Sequence, residues 1–417
     1  MHILHLLHQY LPAHVGGVEL YTNWLAAAQQ AQGHMVHLFH RRSAAEISLQ
    51  RREDDGVTVW SGSNGRFTPT NRFISTFRNQ ALQQQFSQVL DQGAPNIVHI
   101  QHLMGLPLSL VAQLQTRRIP YVVTLWDFWW VCANAQLLTN YSEELCDGPQ
   151  AYLNCARCAL ARAGLPQLPP AQPLLAAPLA WRVRQLRQVL AHAAQVIAPA
   201  AFVQSWYADH GLNMANVTVL PPGLDYPPDL DLLRRGDGNG QERPLRFGYV
   251  GGLSTQKGVH IPLQAFRQLP QTAEFWVAGD PTFDPNYVAQ LQQLATPQVR
   301  FLGRLDHQDI WQMLAQIDLL IVPSLWYETF AFVISEAFAA GIPVIASNLG
   351  VMAERVRHNI DGLLVAPGDA SAMAAALRRF LTEPDLRRRL QDNIQPVPTI
   401  ANHARQLQTL YQQVSQI

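Results

Sequence analysis

Short apolar runs alternate with stretches of helical periodicity along most of the chain. Leu319–Val322 is an apolar run of the kind that a buried parallel strand needs. Helical periodicity begins near Phe332, and Gly341 with Pro343 ends it as a C-cap glycine and a following proline do. Because a second apolar run follows at 343–347, this stretch predicts a strand–loop–helix–strand unit.

The same alternation continues on both sides of that unit. Other apolar runs predict strands at 3–7, 36–39, 95–102, 121–125, 196–199, 246–250, 275–278 and 299–303. The chain opens with a strand, a loop containing a glycine pair, a helix and a second strand, as Rossmann-like folds do. The pattern therefore predicts an α/β fold built on parallel sheets.

The length of the chain favours two domains, because 417 residues are too many for one hydrophobic core. We predict an N-terminal domain at 1–225, with a cysteine-rich irregular excursion at 130–180. A polar linker at 226–243 leads to a second domain at 244–398, and a helix at 399–417 ends the chain. The hydrophobic fraction of 48% is sufficient for two buried sheets.

The charge balance argues against a nucleic acid partner. Lysine and arginine number 30 and so do aspartate and glutamate, so we expect no nucleic acid partner. The first residues lack a positive n-region and a cleavage site, and they read as a strand rather than a signal peptide. Apolar runs of about 18 residues or more, which a membrane helix needs, do not occur. We therefore expect a cytoplasmic protein with reduced thiols.

Two carboxylates stand out in the strand–loop–helix–strand unit. Glu328 lies on its loop and Glu336 on its helix. The helix N-terminus between them offers free N–H groups and partial positive charge, which suit a diphosphate. A carboxylate can accept hydrogen bonds from two hydroxyls at once, which suits a ribose or a sugar ring. The alternative for such a pair is two solvated residues at a helix end.

Two glycine-containing turns could also approach phosphates. Gly16 and Gly17 follow the first strand, and Gly251 begins a turn that reaches Lys257 at the predicted start of a helix. Glycine lets main-chain N–H groups come close to a phosphate, and lysine adds an ammonium. A glycine pair alone is more often only a tight turn.

These features together resemble one enzyme family. The strand, the loop, both glutamates, the A-x-G-x-P-V turn and Asp361-Gly362 resemble the C-terminal donor site of retaining GT-B glycosyltransferases of family four. The resemblance implies two Rossmann-like domains facing each other across a cleft, with the C-terminal helix crossing back to the first domain. It also implies a nucleoside diphosphate sugar as donor, a glycan or lipid-linked acceptor, retention of configuration and no metal requirement for transfer. Cell-surface polysaccharide synthesis is the expected role.

The resemblance also assigns roles to residues of the donor site. Glu336 would bind the ribose hydroxyls and Glu328 the donor sugar at the reacting centre. The leaving diphosphate would be stabilised by Lys257 with Gly16 and Gly17. The remaining expected donor-binding residues are Gly251, Arg304, Thr329, Phe330 and Ala331. Gly252 departs from the family pattern, because an arginine that binds phosphate usually stands there.

The acceptor would meet the N-terminal domain at the ends of two predicted strands. His99 and His102 lie at the end of the strand at 95–102, and each has a structural role as its alternative. Trp126 stands where the family usually has a histidine, whereas Asp127 is kept. We expect Trp126 to line the acceptor side, and Asp127 with His102 to serve acceptor binding or proton transfer. A core tryptophan is the alternative for Trp126.

All four cysteines of the chain fall between residues 132 and 158. They are Cys132, Cys146, Cys155 and Cys158, and the last two have the C-x2-C spacing of a zinc knuckle. Four thiolates would complete a tetrahedral structural zinc site. Free buried thiols are the alternative.

Other functions and partners stay open at this point. Trp126 and Gly252 would also fit a nucleotide-sugar-binding partner subunit without transfer activity, although the retained glutamates argue against it. A dehydrogenase fits poorly, because the first turn lacks G-x-G-x-x-G. The predicted helix at 181–194 carries Arg182, Arg184 and Arg187 among apolar residues. It is either a domain helix or a helix in peripheral contact with the inner membrane face.

Overall fold

The computed structural model describes residues 1–65, 75–167, 169–227, 230, 243–270 and 273–415. The chain forms two compact units, of which the first comprises Met1–Gly223 and Pro398–Ile417 and the second Leu224–Val397. Most of the linker predicted at 226–243 lies outside the described residues. Each unit has a parallel sheet with helices, so the predicted α/β class is confirmed.

In the described part of the first unit, eight strands form one sheet in the order β3-β4-β2-β1-β5-β6-β7-β8. Only β3 is antiparallel to its neighbour there. The strands are β1 His2–Leu7, β2 Met35–Arg41, β3 Ile47–Asp54, β4 Val57–Asn64, β5 Ile97–Ile100, β6 Tyr121–Thr124, β7 Gln195–Ala198 and β8 Val217–Val219. The helices are α1 Gly17–Ala31, α2 Gln80–Gly93, α3 Ser109–Thr116, α4 Leu153–Arg162, α5 Gln172–His192, α6 Ala201–Asp209 and the C-terminal α14 Ile400–Ser415.

The described residues of the second unit form a six-stranded sheet in the order β11-β10-β9-β12-β13-β14, and all of its pairs are parallel. The strands are β9 Leu245–Val250, β10 Ala273–Ala278, β11 Val299–Gly303, β12 Leu319–Val322, β13 Val344–Ser347 and β14 Gly362–Val365. The helices are α7 His260–Phe266, α8 Pro285–Leu294, α9 His307–Gln316, α10 Phe332–Ala339, α11 Gly350–Arg355, α12 Ala370–Thr382 and α13 Leu386–Gln391.

Burial explains where the strands form. The central strands β5, β6, β12 and β13 are buried along their whole length, as strands covered on both faces must be. The C-terminal helix α14 buries one face against α1, with Leu407 and Tyr411 wholly inaccessible. The excursion at 130–180, predicted to be irregular, contains helix α4 and the start of helix α5, so the prediction is wrong for residues 153–162 and from residue 172 onward. Helix α5 runs through Pro178 there, since leucine and alanine favour a helix enough to accommodate one proline.

Among the described residues, no helix is both long enough and apolar enough to cross a membrane.

Candidate functional site

Glu328 is the centre of a polar cluster in the loop after β12. Its Oε1 accepts hydrogen bonds from Lys257 Nζ at 2.7 Å, Trp326 Nε1 at 2.8 Å and Ser324 Oγ at 2.9 Å. Burial alone would raise the pKa of Glu328, but the charge of Lys257 and these hydrogen bonds more than offset it. The pKa of Glu328 is therefore lowered. The cluster holds an ionised carboxylate in a side chain that is only 12% exposed.

Lys257 reaches this loop because the turn that carries it packs directly against the loop after β12. The main-chain N–H of Leu325 donates to the carbonyl of Gln256 at 2.8 Å. Gly258 has φ +71°, and a Cβ atom there would lie 2.2 Å from the carbonyl oxygen of Pro323. Only glycine allows both this dihedral angle and this close approach. The turn thereby delivers the ammonium of Lys257 to the carboxylate.

A half-buried arginine holds the loop where it continues through Thr329, Phe330 and Ala331. Arg355 donates to the carbonyl of Phe330, to that of Ala331 at 3.1 Å and to Ser335 Oγ at 2.6 Å. Its guanidinium also lies 3.9 Å from the ring centroid of Phe330, and burial lowers the pKa of Arg355 to about 10. Ala331 precedes α10 with a left-handed φ of 55°. Sequence reasoning missed Arg355, because its contacts lie 20 or more residues away along the chain.

Glu336 lies on α10 with only 8% of its surface exposed. Burial raises the pKa of Glu336 to about 7, because removal from water disfavours the charged form. Glu328 and Glu336 were both expected to bind hydroxyls, but their environments differ. The first is stabilised as an anion by its neighbours, whereas the second is buried without such support.

The other residues predicted to bind the donor have varied surroundings. Arg304 is largely exposed, and its guanidinium lies 3.8 Å from Asp280. Gly251 has φ +154°, and the next residue, Gly252, has no atom within 4 Å of where its Cβ would stand. A side chain at position 252 would therefore have room. Gly16 and Gly17 begin α1 in the first unit, with Gly16 as an extended N-cap residue.

His102 and Asp127 form a pair in the first unit. His102 Nδ1 accepts the main-chain N–H of Met104 at 3.0 Å, so Nε2 carries the proton and donates to Asp127 Oδ2 at 2.9 Å. Asp127 Oδ1 accepts the main-chain N–H of Trp129 at 2.9 Å. The histidine side chain is 3% exposed and the carboxylate side chain 30% exposed. The carboxylate is thus the member of the pair that meets solvent.

His99 and Trp126 lie in the core, not on an open surface. The ring of His99 is inaccessible, with Nδ1 bonded to Tyr411 Oη at 2.6 Å and Nε2 to Thr124 Oγ1 at 2.8 Å. Trp126 is 5% exposed and donates to Gln101 Oε1 at 2.7 Å. This geometry contradicts the acceptor contacts predicted for His99 and Trp126. Both side chains are already satisfied within the fold, so the core alternative describes them.

The four cysteines line one cavity of about 390 Å³ in the excursion of the first unit. All four are free thiols of intermediate exposure. Burial raises the pKa of Cys155 to about 12, and proximity to the other three sulfurs contributes. Within the described part of the chain, no three histidine, cysteine, aspartate or glutamate side chains are arranged to hold a metal ion. The geometry as it stands does not confirm the predicted zinc site.

Two parallel-sheet α/β units, with a polar strand–loop–helix in the second, define the class of GT-B glycosyltransferases. Comparisons with known proteins lead to the same class. Residues 16–223 match the glycosyl transferase 4-like domain, and residues 235–396 match glycosyl transferases group 1. The two matched segments leave only the termini and a short stretch between them. The chain belongs to this glycosyltransferase family, and the predicted resemblance is confirmed.

Individual relatives are similar over part of their length. Glycogen synthase of Mycobacterium tuberculosis is 33% identical over 178 residues, which are 42% of this chain and 42% of that protein. D-inositol 3-phosphate glycosyltransferase of Mycobacterium tuberculosis is 31% identical over 185 residues, 41% of this chain and 37% of that protein. The chain thus spans less than half the length of these relatives.

Solved structures match over the whole chain. Sucrose-phosphate synthase from Thermosynechococcus elongatus has a TM-score of 0.73 at 21% identity and covers 99% of this chain and 98% of its own. Anabaena Alr3699/HepE, solved in complex with UDP and glucose, has a TM-score of 0.66 at 21% identity and 99% coverage of both chains. These likenesses show the fold.

Proposed function

We propose that this protein transfers a sugar from a nucleoside diphosphate sugar to a glycan or glycolipid acceptor, with retention of configuration. The observation that carries the proposal is the Glu328–Lys257 cluster at the carboxyl end of β12, with Glu336 on the helix that follows. Open parallel sheets bind their ligands at this end of their strands. The solved likeness with UDP and glucose bound supports the same class of donor.

The donor would be held by groups with separate tasks. Glu336 accepts hydrogen bonds from the ribose hydroxyls, and Glu328 accepts one from a hydroxyl of the transferred sugar. Lys257 Nζ, which lies 2.7 Å from Glu328, stabilises the negative charge that grows on the leaving diphosphate. With these groups in place, we expect transfer to need no metal ion.

The acceptor would meet Asp127 in the first unit. Its carboxylate is fixed by His102 at 2.9 Å and by a main-chain N–H at 2.9 Å, so it presents a defined acceptor for a hydroxyl proton. His102 holds that carboxylate through Nε2–H and acts as its positioning partner. Trp126 and His99 are not part of the proposed acceptor site, because both side chains are buried.

A cell-surface role would bring the protein to a lipid-linked acceptor at the inner membrane face. On helix α5, Leu174 is 78% exposed and Trp181 47% exposed, which suits peripheral contact with lipid. Arg182 does not take part, because it is 4% exposed and donates to the carbonyl of Trp129 at 2.9 Å. Vesicle flotation with and without anionic lipid tests this contact.

A panel of nucleoside diphosphate sugars tests the proposed function. We expect one donor to raise the melting temperature and to be slowly hydrolysed, with the released sugar showing the donor's anomeric configuration by proton NMR at early times. Activity that is unchanged by EDTA would agree with metal-independent transfer. If no nucleotide sugar and no nucleoside diphosphate bind, the proposed function is wrong. Binding without hydrolysis or transfer to any glycan would instead favour the inactive partner subunit.

A variant of Glu328 sharpens that test. Glu328→Gln should reduce hydrolysis at least tenfold while changing the affinity for the bare nucleoside diphosphate less, because Glu328 contacts the sugar. Glu383→Gln is the matched control, since that glutamate lies in the same unit and forms ion pairs with Arg379 and Arg389 at the surface. Equal losses of hydrolysis and of diphosphate binding in Glu328→Gln would refute the assignment to the sugar.

A further inference from the structure

The cysteine cavity has features that the transfer reaction does not use. Cys155 and Cys158 lie on α4 three residues apart, so they share a helix face. Cys132 lies in the turn after the W-D-F-W-W segment, and Cys146 directly follows an isolated bridge between Leu138 and Leu145. Four separate positions in a loop-rich segment thus bring every cysteine of the chain to one cavity.

Hydrogen bonds are directed at two of these sulfurs. The main-chain N–H of Asn140 donates to Cys158 Sγ at 3.2 Å, and Asn154 Nδ2 donates to Cys146 Sγ at 3.7 Å. Cys146 Sγ itself donates to the carbonyl of Gly148 at 3.6 Å. Neutral thiols are weak acceptors, whereas thiolates bound to metal are routinely supported by such donors.

A buried positive charge lies beside the cavity. Arg182 is 4% exposed, and its Nη1 has no hydrogen-bond partner among the described residues. Cys132 and Cys155 are close enough to interact electrostatically with this guanidinium, and Arg162 lines the cavity itself. Four thiolates around a divalent ion carry a net charge of about −2. The two arginines would compensate that charge, and Arg182 also interacts electrostatically with Asp127.

We propose that Cys132, Cys146, Cys155 and Cys158 bind one thiolate-ligated metal centre that holds the segment between residues 132 and 158 in place. Metal binding releases the four thiol protons to solvent as the metal–sulfur bonds form. The side chains are not at ligand spacing as they stand, so metal binding would have to draw the four sulfurs together as the segment closes around the ion. The same ligand set serves Zn²⁺ or an iron–sulfur cluster.

The centre would also support the acceptor side of the first unit. The N–H of Cys132 donates to the carbonyl of Phe128 at 2.7 Å, and Phe128 follows Asp127 directly. A fixed Cys132 therefore limits movement of the turn that carries Asp127. The role is structural, because all four ligands come from protein and no coordination position is left for substrate.

Elemental analysis of the full-length, tag-free protein tests the proposal. We expect about one zinc, or iron with acid-labile sulfide, per chain, released by a mercurial in proportion to the thiols modified. The Cys155→Ser/Cys158→Ser variant should lose this metal. Ser142→Ala is the matched control, because Ser142 belongs to the same segment without lining the cavity, and it should keep the metal.

Zinc alone supports a mononuclear site, and iron with sulfide supports a cluster, so both outcomes agree with a metal centre. If the serine variant fails to fold, the mercurial titration of the unmodified protein still decides. Folded protein with less than about 0.1 equivalent of any transition metal and four freely titrating thiols would overturn the proposal.

Discussion

Glu336→Gln should make the second unit more stable and the nucleotide site weaker at the same time. Glu336 is 8% exposed, and burial raises its pKa from 4.5 to about 7. Above pH 7 the folded protein must therefore hold a buried charge that the unfolded chain exposes to water. Glutamine has nearly the same shape and no charge, so it removes this cost. It also removes the anionic acceptor that we assign to the ribose hydroxyls.

The magnitude follows from the pKa difference. The rise from 4.5 to about 7 corresponds to about 3 kcal/mol, at about 1.4 kcal/mol per pKa unit. Between these pH values the folded state binds more protons than the unfolded state, so the free energy of unfolding falls as the pH rises. The variant should therefore exceed the wild type by about 1 kcal/mol at pH 5 and by about 3 kcal/mol at pH 8.

Amide hydrogen exchange of β12 and β13 at pH 5 and pH 8 measures this difference within the second unit. Calorimetry with the nucleoside diphosphate should show affinity about tenfold or more lower, because a charged acceptor is worth about 1.5–3 kcal/mol. Glu46→Gln changes an exposed glutamate of the first unit and should alter neither quantity. A stability gain that is the same at both pH values, or a loss at pH 8, would refute the burial argument. Unchanged affinity would remove Glu336 from the nucleotide site.

Two further variants test the residues around the proposed sites. Arg355→Lys keeps the charge but cannot satisfy Phe330, Ala331 and the serine hydroxyl together, so we expect donor affinity to fall about tenfold in calorimetry. The control Arg378→Lys, at an exposed position, should leave donor affinity unchanged. A normal donor affinity in Arg355→Lys would show that the loop keeps its conformation without Arg355. Trp126→Phe leaves a buried amide oxygen unpaired, and we expect a melting temperature about 5 °C lower with an unchanged acceptor KM. A raised KM at an unchanged melting temperature would instead restore Trp126 to the acceptor surface.

The loop after β12 could be predicted because its geometry is local. The run Leu319–Val322 predicts the strand. Glu328 follows in the next loop and Glu336 in the next helix. The pairing with Lys257 is less local, since it depends on a hydrogen bond that joins two turns. Arg355 could not be predicted, because nothing in its own neighbourhood shows that it reaches back to the loop.

The acceptor side was harder to predict because its burial is decided far along the chain. His99 is covered by Tyr411, which is 312 residues away on α14. Gln101, which no periodic pattern distinguishes, satisfies the indole of Trp126 and also contacts His5 at 3.2 Å. A strand end that would otherwise be open is thus closed by a helix from the other end of the chain. Their position at the end of a strand predicts that His99 and Trp126 are exposed, but tertiary packing buries both side chains.

The charges around Glu328 bear on how this chain would hold a diphosphate. The ammonium of Lys257 is already paired with the carboxylate at 2.7 Å, so the two side chains together contribute no net charge. Position 252, where the family usually has an arginine, is a glycine with open space around it. A diphosphate bound here would therefore depend mainly on main-chain N–H groups, which act at short range and are screened little by salt. We therefore expect the main-chain N–H groups of the turn at 251–252 to bind the diphosphate, and Lys257 to stabilise the charge that appears as the bond to the sugar breaks.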